Sequence, residues 1–209
     1  MTSALPTFLA RMAVPALGLL VATPALAHPG HDTGGFVTGG IVTGGLAHGF
    51  LHPLGGLDHV LAMVAVGLIA ARIGGRAILL VPATFLGMMA LGGAAGAMGG
   101  ALPHVETAIA LSVLVLGLVL ALGVVPPVAG AMALVGAFAV FHGFAHGAEM
   151  PGAASGLAYG LGFLVATALL HAAGLGLGLA ARRVQTRPAL RVAGAALAAA
   201  GLGLLAGAF

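Results

Sequence analysis

Between Glu106 and Glu149 the chain carries no Asp, Glu, Lys or Arg. That interval contains two apolar runs, "TAIALSVLVLGLVLALG" and "VAGAMALVGAFAV", parted by "VVPP". It is more than one helix needs to cross a bilayer, for which about 20 apolar residues suffice. The rest of the sequence follows suit, with 61% hydrophobic and 5% charged residues, where a soluble domain carries about a quarter charged. Apolar surface on this scale has nowhere to go in water, so the solvent for most of the chain is lipid. Inside hydrocarbon every backbone N–H and C=O has to be satisfied within the protein, and no alternating strand pattern interrupts the runs. The fold class is therefore an all-α integral membrane protein.

Hydropathy and punctuation place helices at about 77–98, 104–122, 127–147, 155–180 and 189–208, with a shorter one at about 57–72. Short loops join them and no linker or composition shift divides them, which makes residues 28–209 one transmembrane domain. The first 27 residues read as a cleavable signal peptide: Arg11, an apolar stretch and the small-residue site "ALA" at Ala25 to Ala27. An uncleaved first helix is the alternative, and Pro15 and Pro24 make it a poor permanent span.

All seven basic residues are arginines, set against four acids. They cluster at segment ends rather than along a face, which argues against nucleic acid as a partner. Arg72 and Arg76 flank one loop, and Arg182, Arg183, Arg187 and Arg191 flank another. Both loops belong in the cytoplasm under the positive-inside rule, and the even number of spans between them agrees. After export the mature N-terminus lies outside, so an odd number of crossings has to precede Arg72. Residues 34–72 nevertheless hold two apolar stretches. The first, rich in glycine pairs suited to close packing, is expected to dip in and return at "HPLGG". The expectation is six transmembrane helices plus one partial, re-entrant N-terminal helix.

Two constellations interrupt this apolar background. In "FHGFAHGAE", His142, His146 and Glu149 fall at i, i+4 and i+7, one face of a helix. Titratable residues within a membrane span are costly and are read by default as functional. Gly143 and Gly147 beside them allow a neighbouring backbone to approach. In "HGFLHPLGGLDH", His48 and His52 precede the break, and Asp58 and His59 open the next helix. Asp58 can serve as an N-cap, ligate directly or hold His59 in one tautomer. The topology puts both constellations at the outer end, the pattern of a shared cation site. With no cysteine in the chain, the ligands are imidazole and carboxylate. This set suits nickel, cobalt or zinc, and does not suit magnesium or calcium, which prefer all-oxygen shells.

"HPLGGLDH" (His52 to His59) and "FHGFAHGAE" (Phe141 to Glu149) resemble the two signature motifs of the HupE/UreJ family at every fixed position. The resemblance extends over essentially the whole mature chain. It implies a nickel permease of the bacterial cytoplasmic membrane, with its mature N-terminus outside and cobalt as a second candidate substrate. It also implies a role in supplying hydrogenase or urease, an indirect client rather than a bound partner. Metal handling carries over to His52, Asp58, His59, His142, His146 and Glu149. The metal is cargo rather than a permanent cofactor, and a homo-oligomer is a candidate assembly.

Four further histidines are secondary metal candidates. His28 and His31 begin the mature chain, His48 is an outer ligand or a packing residue, and His171 is an exit-path ligand or a hydrogen-bonded structural group. His104 and Glu106 read as solvated or capping residues, the eight methionines as core fillers, and Gly152, Gly156 and Gly160 as a helix-contact face. There is no G-x-x-x-x-G-K-[ST] loop, so the chain does not itself hydrolyse ATP. Two rival readings come from other classes. One is a seven-helix membrane zinc hydrolase, and the other is an accessory protein that binds metal without transport.

Overall fold

Glycines, prolines and arginines punctuate the apolar runs, and the helices begin and end at them. The computed structural model describes residues 41–150, 156–183 and 187–208. The expected signal peptide, His28 and His31 lie outside the described residues. Seven helices follow in order: α1 (Ile41–Gly55), α2 (Leu57–Ile73), α3 (Ala77–Ala97), α4 (Val105–Ala121), α5 (Val128–Ala148), α6 (Gly156–Arg183) and α7 (Arg187–Leu205). All belong to one compact unit. From α2 to α7 the ends fall within about three residues of those read from hydropathy and loop composition.

α3, α5, α6 and the Pro188–Leu205 part of α7 are long and apolar enough to cross a membrane. α1 and α2 meet at 85° across a single-residue break, where Gly56 is extended (φ −102°, ψ 120°). The turn expected at "HPLGG" is thus a sharp corner. α2 and α4 have 17 residues each, about 25 Å against about 30 Å of hydrocarbon.

α2 occupies the centre. It packs against every other helix, and Ala62, Met63, Ala65, Val66 and Ala70 are completely buried. A helix apolar on all its faces belongs inside such a ring. The exterior runs the other way: Leu79, Leu91, Leu157 and Val192 are exposed, while His142, Ser112 and Thr167 are fully buried. Leucine outside with histidine and hydroxyl inside is the distribution of a protein whose surroundings are lipid. The chain is an all-helical membrane protein.

α3 and α5 lie closest. A Cβ at Gly143 would strike the carbonyl of Met89, and one at Gly147 that of Gly93, so only glycine permits this approach. The glycines expected to do the same on α6 do not. Gly160 faces open space, Gly156 meets only the Met150 side chain, and Gly152 is outside the described residues. The physical reason is phase: α6 turns Tyr159 and Phe163 inward, which leaves Gly156 and Gly160 on the outer side with exposed Leu157 and Leu161. Its close approaches come instead at Gly162, against α1, and Gly174, against α2. Gly44 on α1 also faces open space, and Gly49 makes the approach to α6.

Arginines tie one end of the bundle together. Arg72 Nη2 donates to the Gly123 carbonyl at 2.6 Å, and Arg182 Nη1 donates to the Ala71 carbonyl at 2.7 Å. Cations on carbonyls at helix C-termini are favourable. The two arginine clusters therefore share one end, as the span count requires.

Candidate metal site

The corner at Gly56 brings the end of α1 and the start of α2 against the C-terminal half of α5. His52, Asp58, His59, His142, His146 and Glu149, two groups distant in sequence, meet there. Asp58 does not cap α2 through its side chain. Its Oδ1 accepts the His59 backbone N–H at 2.7 Å and the His59 Nδ1–H at 2.8 Å. A carboxylate here only accepts, so Nδ1 carries the proton and Nε2 keeps its lone pair. That Nε2 is buried with no hydrogen-bond partner among the described residues. Of the three roles open to Asp58, the geometry is that of a tautomer-setting partner.

His142 is oriented in the same manner from the opposite wall. Ser112 on α4 donates its hydroxyl proton to the Ile109 carbonyl at 2.6 Å. Its oxygen then accepts from His142 Nε2 at 2.9 Å, which leaves His142 Nδ1 as the lone-pair nitrogen. Nδ1 is also buried and unpartnered among the described residues.

His146 lies between these rings and the surface. It is 5% exposed, and neither ring nitrogen has a partner among the described residues. Its ring centre is 4.2 Å from that of His59 and 4.8 Å from that of His52. His59 in turn is 4.7 Å from His142. Four imidazoles thus stand in series: His52, His146, His59, His142. At the mouth, His52 Nε2 is 3.4 Å from Glu149 Oε2. One ligand atom from each of His52, His146 and Glu149 lies within 4.8 Å of the others. Metal–nitrogen bonds of about 2.0–2.1 Å need ligand atoms closer than this, so side-chain rotation would have to close the set. Buried polar atoms without partners are rare because each forfeits its hydration, and several on neighbouring rings demand an explanation.

The remaining polar residues divide. His48 is exposed and close enough to His52 to interact with it electrostatically. His104 is exposed at the start of α4, with φ 60° and no side-chain cap bond. Glu106 is within electrostatic range of Asp58, Glu149 and His59, so the mouth gathers three carboxylates. The same parity argument that placed the motifs at the outer end placed Glu106 there too, and that signal was available. Ser112, Tyr159 and Phe163 had none beyond being polar or aromatic in apolar helices. Tyr159 packs 5.8 Å from His52 and Phe163 4.1 Å from His146, centre to centre, and the Tyr159 hydroxyl is buried without a partner among the described residues. His171 lies apart, buried beyond Phe85.

Fold and site together define a helical membrane protein with a cluster of imidazoles and carboxylates at one end of its bundle. The model of the family described as HupE / UreJ protein matches residues 16–204. Protein HupE of Rhizobium leguminosarum bv. viciae is 48% identical over 159 residues, covering 76% of this chain and 83% of that protein. No solved structure matches significantly. The chain belongs to the HupE/UreJ family.

Proposed function

We propose that the chain is a permease importing Ni2+, with Co2+ as a second substrate, across the bacterial cytoplasmic membrane. The observation that carries this reading is His146. It is a buried imidazole with two unpartnered nitrogens, set between a wet His52–Glu149 mouth and the two interior rings whose tautomers are fixed. Asp58 and Ser112 each leave one lone pair for a cation, on His59 and His142 respectively. Ring-to-ring spacings of 4.2 to 4.8 Å let an ion exchange one ligand at a time, so three or four groups hold it at any moment. Holding all six at once would bind too tightly for turnover.

In this reading α2 and α4 complete six crossings with α3, α5, α6 and α7, and α1 is the re-entrant element. Residues 1–27 are the leader, residues 28–209 the transport domain, and the site faces the exterior. The inside-negative potential supplies the drive, roughly 2.3 kcal/mol per charge per 100 mV. For a divalent ion that is about 4.6 kcal/mol, more than a thousandfold in concentration ratio. The imported ion would serve a nickel enzyme such as hydrogenase or urease.

The test is accumulation of radioactive nickel in cells and in proteoliposomes holding a membrane potential. His52→Ala, Asp58→Ala and His146→Ala should each lose accumulation while the protein remains in the membrane. Metal bound at the site without accumulation in the wild type would instead establish an accessory binder. Hydrolysis of a lipid amide with bound zinc would establish the membrane hydrolase.

A further inference from the structure

The end of the bundle opposite the metal cluster carries charge of one sign. Arg76, Arg182, Arg183 and Arg191 are exposed there, and Arg72 is partly buried. The chain has four acids. Asp58, Glu106 and Glu149 belong to the mouth, and Asp32 lies outside the described residues.

Packing sets two of these arginines side by side. α4 and α7 meet along a glycine seam, where a Cβ at Gly117 would strike the backbone of Ala198 and one at Gly194 that of Ala121. So close an approach fixes the register between the two helices. Arg191, about one turn before Gly194, is thereby brought to Gly123, just past the end of α4. A Cβ on Gly123 would stand 2.7 Å from Arg191 Nη2, 2.9 Å from its Nε and 3.0 Å from Arg72 Nη2. These distances start from one point, so the two Nη2 atoms are no more than about 6 Å apart, a separation at which like charges repel. Arg72 is committed to the Gly123 carbonyl through that same nitrogen, at 2.6 Å. Arg191 makes no hydrogen bond or ion pair among the described residues. Its guanidinium carries five N–H donors in a rigid fork and, exposed as it is, can give two of them to oxygens of one phosphate.

The setting selects the anion. Arg191 lies near the start of Pro188–Leu205, a segment long and apolar enough to cross a membrane. Its neighbour Val192 is exposed, and so are Leu122, Val124 and Val125 around Gly123. An arginine at such a helix end carries its charge to the level of the lipid headgroups while its stem stays among apolar atoms. A phospholipid phosphate arrives there with its acyl chains alongside these apolar side chains, whereas a free phosphate leaves them unused. A zwitterionic lipid brings its own cation to a place already crowded with positive charge, so the headgroup has to be net negative.

We propose that Arg191, with Arg72 beside it, forms the headgroup site of an anionic phospholipid where α4 ends and α7 begins. The lipid phosphate offsets the repulsion between the two guanidiniums and ties α7 to the turn at Gly123. The site needs the membrane setting alone and stands whether or not the chain carries nickel.

The experiment uses native mass spectrometry to measure phosphatidylglycerol and phosphatidylcholine bound to the purified, delipidated protein. The thermal unfolding midpoint is followed with each lipid and with inorganic phosphate. Phosphatidylglycerol should bind about fivefold more tightly than phosphatidylcholine and raise the midpoint, while inorganic phosphate at the same concentration leaves it unchanged. Arg191→Gln should lose most of that preference, and Arg183→Gln, at an exposed arginine of α6, should keep it. Arg191→Lys retains the charge without the fork, and its preference should fall to about half. An unchanged preference in Arg191→Lys overturns the site even if the glutamine variant fails to fold. Equal losses in Arg183→Gln and Arg191→Gln would reveal a diffuse basic surface and overturn it too. A midpoint raised as far by inorganic phosphate would assign the pair to a soluble anion instead of a lipid.

Discussion

Ser112 and His142 are joined across the bundle by a hydrogen bond whose direction is fixed. The Ser112 proton is committed to the Ile109 carbonyl at 2.6 Å, so the 2.9 Å contact to His142 Nε2 has the ring as donor. Nδ1 is then the nitrogen that keeps its lone pair, the one the proposed permease would offer to a cation. Partners of this kind typically alter metal affinity or activity roughly 10–100-fold when removed.

Ser112→Ala removes that direction without removing a ligand. Nickel uptake at low concentration should fall about tenfold while the amount of protein in the membrane stays unchanged. Ser112→Thr, which keeps a hydroxyl, should recover most of the loss. Equal uptake by the alanine variant and the wild type would count against His142 as a ligand.

Asp58 does for His59 what Ser112 does for His142, but with a full charge and at 2.8 Å. Asp58→Asn keeps the shape and lets the amide donate as well as accept, so it no longer enforces the Nδ1–H tautomer. Uptake should drop by about 10–100-fold, with Asp58→Glu intermediate because its extra methylene displaces the carboxylate. Isothermal titration of the purified protein with Ni2+ should show weaker binding in the same order. An asparagine variant binding as tightly as wild type would return Asp58 to a purely structural role.

The α3–α5 contact sets the depth at which His142 and His146 sit. Gly143→Val puts a branched side chain where the Met89 carbonyl already lies. The helices have to separate, at a cost of about 1–3 kcal/mol or more. Reduced thermal stability in detergent and loss of uptake should appear together. Gly160→Ala, at a position facing open space, should leave both unchanged. This pair checks that the glycines matter by where they pack and not by their number.

Helix placement was legible because each cause is local. Arg76, Pro126–Pro127 and the pairs Gly74–Gly75 and Gly99–Gly100 fall where helices end or begin, although Gly92–Gly93 lies within α3, and most boundaries follow from such residues alone. The meeting of His52, Asp58 and His59 with His142, His146 and Glu149 was also legible, since span parity puts both groups at one end. Side-chain partners across the bundle were not. Ser112 and Phe85 read as residues of apolar helices, and only their rotation about the helix axis turns one toward His142 and the other between His142 and His171. The α6 glycines failed for the same reason: a four-residue spacing marks a face but does not say which way it looks. Rotation is set by packing against neighbours distant in sequence.

Protons and nickel compete for the same lone pairs, and this competition gives the last prediction its sign. A metal binds neutral imidazole and ionised carboxylate, so acidification removes ligands. An ordinary imidazole titrates near pH 6.5, and the mouth is approached through His52, whose side chain is 31% exposed. At subsaturating Ni2+, with the membrane potential clamped, uptake should decline as external pH falls from about 7.5 to about 5. More than one proton is displaced per ion, so the decline should exceed the slope of a single titration. Raising the Ni2+ concentration should restore much of the rate, because the ion then displaces the protons. Uptake that ignores external pH at low Ni2+ would mean that imidazoles do not capture the ion, and the His52–His146–Glu149 mouth would have to give way to a site built on other ligands.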